Sequence, residues 1–167
     1  MAIEFTDNSA IVKAAIDDAV VAFLHEAGGE LEAQAKRNQD KRSDTGKTMN
    51  AWTHVVNESK GECVVGNPLE NAIWEEFGTG EYAVKGDGRK GYWVYVKNSD
   101  GTGHRSDGKQ YTLAQAKQIM AMLREEGLEA YYTKGKKPNH TLQKAFDKNK
   151  NKLIRRFGQI MNERTNT

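Results

Sequence analysis

From Ser9 to about Lys36 the apolar residues return at every fourth position, at Ile11, Ala15, Ala19, Phe23, Ala27 and Leu31, with Val12, Ile16, Val20 and Leu24 beside them. A helix gathers such a series onto one side, so the spacing predicts a long amphipathic helix that needs an apolar partner. Asn8 or Ser9 is placed to cap its first amides. The Gly28-Gly29 pair is costly inside a helix and marks a bend or a close packing contact.

A partner of opposite charge stands at the far end of the chain. Residues 1–34 hold Glu4, Asp7, Asp17, Asp18, Glu26, Glu30 and Glu32 against Lys13. Residues 133–167 hold Lys134, Lys136, Lys137, Lys144, Lys148, Lys150, Lys152, Arg155, Arg156 and Arg164 against Asp147 and Glu163. A last helix is predicted from Thr141 to Met161, with Leu142, Phe146, Leu153, Phe157 and Ile160 along one side and a very basic face opposite. The acidic first helix is expected to lie against the basic last one, within a subunit or between neighbours. The chain as a whole is nearly balanced, at +2, which argues against a strongly basic nucleic-acid binder.

Between these helices the pattern changes period. Ala51–Val56 and Glu62–Gly66 are β-rich runs around the turn-forming stretch Asn57-Glu58-Ser59-Lys60-Gly61, which predicts a hairpin. Asn67-Pro68 reads as an N-cap and first helical position of a short helix that runs through Phe77 and stops at Gly78. Tyr92–Val96 has strand chemistry between glycine-rich turns. Thr112 and Gln115 form a capping-box pattern before a helix that Gly127 stops, and Leu128–Thr133 suits a returning strand. At 167 residues, with 37% hydrophobic and 29% charged content, the chain suits one domain, residues 1–167, with an insertion-like segment at about 82–133. The expected class is α+β, a small mainly antiparallel sheet packed against long N- and C-terminal helices.

Several strings imitate catalytic motifs without their setting. Gly46-Lys47-Thr48 lacks the earlier glycine of a phosphate loop, since Lys41 stands there. Asp44-Thr45-Gly46 follows Lys41, Arg42 and Ser43 rather than an apolar strand, so it reads as a cap at the entry of a helix or strand. Gly78-Thr79-Gly80 follows a helix and reads as a turn. Residues 100–107, with His104, match no metal-ligand spacing. The four histidines, His25, His54, His104 and His140, read as solvated or structurally bonded, and Glu75-Glu76 and Glu125-Glu126 as surface charge. The single cysteine, Cys63, beside Val64 and Val65, reads as a small packed hydrophobe, and Trp74 and Phe77 as core or interface residues. No enzyme, cofactor or metal site is expected. No stretch approaches the roughly 20 apolar residues of a membrane span, and Met1–Asn8 lacks the pattern of a signal peptide.

Taken in order, Asp44-Thr45-Gly46, then Ile73-Trp74-Glu75-Glu76-Phe77-Gly78-Thr79-Gly80, then Lys136-Lys137-Pro138-Asn139-His140-Thr141-Leu142-Gln143-Lys144-Ala145-Phe146 resemble the head-to-tail joining (neck or tail-completion) family of long-tailed phages. The resemblance spans mainly residues 9–80 and 133–160. Tyr82–Thr133 is longer than the family's usual connection, and His140-Thr141 stands where Pro-Phe is usual. The resemblance implies a virion protein assembled in the host cytoplasm, a subunit of a homo-oligomeric ring between head and tail. Its partners would be head-closure or adaptor proteins and tail-tube or terminator proteins, with at most non-specific contact with DNA and none with membrane. Asp44, Thr45, Gly46, Trp74, Glu76, Phe77, Gly78, Thr79, Pro138, Leu142 and Phe146 would be scaffold positions. Lys144, Lys148, Lys150, Lys152, Arg155 and Arg156 are the candidates for intersubunit or DNA-facing charge. The alternative is a small nucleic-acid-binding protein that uses those six cations on phosphates.

Overall fold

The computed structural model describes residues 7–39, 46–99 and 104–165. By packing, the chain divides into two compact units, Met1–Leu69 with Thr141–Thr167, and Glu70–His140. The segment read from sequence as an insertion, 82–133, lies wholly inside the second. The class is α+β, with long first and last helices.

The first unit is built on α1 (Ser9–Gln39) and α5 (Thr141–Thr165). At about 1.5 Å per residue they run about 46 and 37 Å. They pack along their length. Ala19 and Ala27 of α1 and Ala145, Leu153 and Ile160 of α5 are buried, and the rings of Phe23 and Phe157 meet at 4.9 Å between centroids. Asn38 Nδ2 donates to the Thr141 carbonyl at one end, while Lys152 pairs with Glu30 and Arg156 with Glu26 further along. The expected acid-to-base pairing of the end helices is therefore made within the chain. Phe146 departs from the expected buried side of α5. The buried line runs Thr141, Ala145, Asn149, Leu153, and Phe146 lies one residue, about 100°, out of phase with it.

A short α2 (Lys47–Asn50) follows Gly46, whose φ of 73° lies in the left-handed region that glycine enters freely. Trp52 is buried beside it and its indole donates to Gln39 Oε1 at 2.5 Å, which satisfies two buried polar groups together. Then β1 (Thr53–Asn57) and β2 (Glu62–Gly66) form the expected antiparallel hairpin, with Val55 opposite Val64 and Val56 opposite Cys63. Asn57 Oδ1 caps the turn by accepting from Lys60 N, and Gly61 closes it at φ 64°.

The hairpin lies on α1 and approaches it closely at Gly28. A Cβ there would fall 2.5 Å from His54 Cδ2 and 2.7 Å from Cys63 Sγ. Gly28 thus serves close packing, whereas a Cβ on Gly29 would make only ordinary contact, 3.9 Å from His54 Cε1. His54 Nδ1 lies 2.7 Å from Glu32 Oε2, and Lys36 Nζ lies 2.6 Å from Oε1. Hydrogen bonds from Lys36 and then His54 hold the Glu32 carboxyl below its usual range. Cys63 is half-buried, and desolvation pushes its thiol up, away from the reactive thiolate. Asn67 differs from expectation: its Oδ1 accepts from Leu69 N and its Nδ2 donates to the Thr48 carbonyl, while the helix itself starts later, at Glu70.

The second unit holds α3 (Glu70–Phe77) and its own antiparallel sheet, so two small sheets replace the single one expected. Its strands are β3 (Trp93–Lys97), β4 (His104–Ser106) and β5 (Ala130–Thr133), in the order β4-β3-β5. One face, with Val94, Val96 and Ala130, is closed by α4 (Leu113–Glu125) through Ala116, Ile119, Met120 and Leu123. The capping box at the start of α4 is formed as predicted, by Thr112 and Gln115. Because β3 and β5 pair directly, β4 and α4 form an excursion between the arms of one hairpin.

The packing at Gly28 makes a direct prediction. Gly28→Val forces the hairpin off α1 and lowers unfolding stability by about 1–3 kcal/mol, as overpacked sites do. Gly66→Val, where nothing lies within 4 Å of the added Cβ, is the control, and denaturant unfolding compares the two.

Candidate functional site

The most ordered meeting of the singled-out residues is in the second unit, where α3 ends. Helical phase gives α3 two faces: Ala72 and Glu75 are buried, while Ile73, Trp74 and Phe77 are exposed. Gly78 closes the helix at φ 71°, its amide donating to the Trp74 carbonyl at 2.9 Å. The chain then crosses the segment that follows β5. Thr79 N donates to the Lys136 carbonyl at 2.9 Å, and Lys136 N donates back to Thr79 Oγ1 at 3.0 Å. Glu81 N donates to the Lys134 carbonyl, and Asn139 N to the Glu75 carbonyl at 2.6 Å.

Glycine is required where these segments cross. A Cβ on Gly78 would lie 2.7 Å from the Tyr82 carbonyl, 2.8 Å from Pro138 Cδ and 2.9 Å from the Lys136 carbonyl. On Gly80 it would lie 2.7 Å from the Trp93 ring. The two signature stretches, separated by 57 positions at the Thr79–Lys136 bond, are thereby locked together. His140, just before α5, holds φ at 53°, a region that non-glycine residues seldom occupy.

Trp74, Glu76, Phe77, Gly78, Thr79 and Pro138 all belong to this unit, and Gly78, Thr79 and Pro138 meet at the crossing. Glu76 is half-buried. Gly46, Leu142 and Phe146 belong to the first unit, and Asp44 and Thr45 lie outside the described residues. Glu75 corrects its reading as surface charge. It shares the buried side of α3 with Ala72, and its carboxylate is paired with Lys136 Nζ. Sequence reasoning missed this partner and Gly135, whose backbone packs on Thr79; in the string Lys134-Gly135-Lys136-Lys137 only the glycine hinted at a close approach.

The six cations of α5 divide by role. Lys152 and Arg156 face the α1 carboxylates, at 3.2 Å from Glu30 and 2.9 Å from Glu26, and Lys150 lies 3.7 Å from Asp147. Lys144, Lys148 and Arg155 are exposed and make no ion pair among the described residues. Of the six, these three alone combine exposure with no ion pair among the described residues, and they fall within about three turns of helix. Among the described residues no group of three His, Cys, Asp or Glu could hold a metal ion, and no helix is long and apolar enough to cross a membrane. No protein-family model, curated protein or solved structure matches the chain.

Gly78 separates a crossing constraint from simple backbone strain. Gly78→Ala adds left-handed strain and a three-way clash and should cost about 2–4 kcal/mol. Gly86→Ala, at φ 72° with open space around it, should cost only about 1 kcal/mol. Equal losses in thermal unfolding would show that the crossing is not tight.

Proposed function

We propose that the chain is a structural subunit of a phage head-to-tail junction, a member of a ring that joins the DNA-filled head to the tail. The ring would meet a head-closure or adaptor protein on one side and a tail-tube or terminator protein on the other. Its work would be geometric, with no catalytic step and no cofactor, and it would end in the virion after assembly in the host cytoplasm.

The observation behind this reading is the crossing at Thr79 and Lys136. Two stretches that carry the family resemblance are distant in sequence and hydrogen-bonded in space. Glycines with no room for a side chain fix the angle at which α3 leaves the crossing, and they leave the apolar side of α3 exposed. A rigid mount under an exposed apolar helix suits a docking part. Of the six cations of the nucleic-acid alternative, Lys144, Lys148 and Arg155 make no ion pair among the described residues, and the other three are engaged by carboxylates.

Disrupting the gene in its source phage or prophage, with a complemented control, tests the reading by electron microscopy. DNA-filled heads lying apart from finished tails are expected. Intact infectious particles would contradict an essential joining role and favour the nucleic-acid alternative.

A further inference from the structure

The sheet of the second unit has two faces of different chemistry. Val94, Val96 and Ala130 point to α4. The residues that alternate with them, and those registered opposite, lie on the other side: Trp93, Tyr95 and Lys97 of β3, His104 of β4 and Tyr131 of β5. Ser106 and Thr133 complete that side, so no aliphatic side chain stands on it. Three rings cross the strands in one row. Tyr95 lies 5.0 Å from His104 and 5.6 Å from Tyr131 between centroids, and the two tyrosines are stacked with their planes 23° apart. His104 is exposed, and Tyr95 and Tyr131 are half-buried.

Cations flank the rings. Lys97 Nζ and the Arg124 guanidinium each lie 5.3 Å from the centre of the Tyr131 ring, and the Arg89 guanidinium lies 4.8 Å from that of Trp93. One carboxylate joins them: Glu129 accepts from Tyr131 Oη at 2.6 Å and pairs with Lys97 at 3.0 Å. Arg124 Nε donates to the Ala130 carbonyl, and neither Arg89 nor Arg124 makes an ion pair among the described residues. Rings interleaved with cations suit a nucleic-acid strand, whose bases stack on aromatic groups while its phosphates meet positive charge. The strand has to be single, because a duplex keeps its bases stacked on one another and offers mainly its phosphates. Three strands span about 10 Å, room for two or three bases. The face has no carboxamide to hold a 2′-hydroxyl, and its carboxylate is already engaged, which favours DNA over RNA.

We propose that this face, with Tyr95, Tyr131 and His104 as the stacking row and Arg89, Lys97 and Arg124 around it, binds a short stretch of single-stranded DNA without regard to sequence. The site lies in the second unit and uses none of the α5 cations. It does not depend on the joining role.

Fluorescence anisotropy of a labelled oligothymidylate of about 12 nucleotides, titrated with the full chain in about 50 mM salt, tests the site. Half-saturation is expected below about 100 µM, with a duplex of the same length bound about tenfold or more weakly. Circular dichroism checks the folding of each variant. Tyr131→Leu weakens binding by about tenfold and His104→Ala, at an exposed position, by about threefold to fivefold, while Tyr131→Phe stays within about twofold of wild type. A chain carrying Lys144→Ala, Lys148→Ala and Arg155→Ala on α5 keeps its affinity within about threefold. Absence of binding at about 1 mM overturns the site, and so does a duplex bound as tightly as the single strand. Binding that ignores both ring variants and is lost with the three α5 changes overturns it as well and assigns the DNA to α5. Oligouridylate held about tenfold more tightly than oligothymidylate overturns the assignment to DNA. The joining role is decided separately, by the electron microscopy of disrupted phage.

Discussion

The antiparallel packing of α1 on α5 is the contact on which the first unit depends. A hairpin of two five-residue strands is marginal alone. Here it is held because α1 offers it Gly28 as a site of close approach and Glu32 as a partner for His54. The helix itself is kept in place by α5. Apolar burial from Ala19, Ala27, Ala145, Leu153 and Ile160 supplies the main attraction. The pairs Glu26–Arg156 and Glu30–Lys152 lie at the rim, partly solvated, where such pairs contribute little stability. They do select antiparallel register, because a parallel arrangement would not bring these acids and bases together. The opposite charges of the chain ends are thus used, at Glu26–Arg156 and Glu30–Lys152, inside the first unit.

The second unit solves a different problem, the exact placement of a short helix. Eight residues of α3 could not hold an orientation through burial of Ala72 and Glu75 alone. The crossing of Gly78-Thr79-Gly80 with the segment after β5 supplies the missing restraint through backbone bonds, which side-chain substitution cannot easily remove. The sheet behind it is closed by α4 on one face. Tyr95 and Tyr131 stack on the other, with Lys97 and Arg124 within 5.3 Å of the Tyr131 ring. Cross-strand ring pairs of this kind stiffen a three-stranded sheet whose edge strand β4 has only three residues.

Much of the fold could be read from local signals because those signals are local in cause. The four-residue step of α1, the turn Asn57–Gly61 and the Thr112–Gln115 box each depend on neighbours within one or two turns. What escaped depends on distant contacts. Glu75 is buried and paired with a lysine 61 positions away, and an adjacent glutamate pair on a helix gives no hint of it. Phe146 looks like core among Leu142 and Leu153, yet it is out of phase with the Ala145–Asn149–Leu153 line. The strand β4 is short and wholly exposed, with no alternation to reveal it. Two sheets appeared in place of one because strand chemistry says which residues extend and not which strands pair.

The end helices pair inside one chain, through Phe23–Phe157, Glu26–Arg156 and Glu30–Lys152. Spin labels at His25→Cys and Gln159→Cys, with Cys63→Ser to remove the native thiol, measure this directly. A single short distance is predicted, set by helix axes about 8–10 Å apart, and it should persist when the labelled chain is diluted with excess unlabelled chain. Loss of that short distance on dilution would place the pairing between chains and contradict the account.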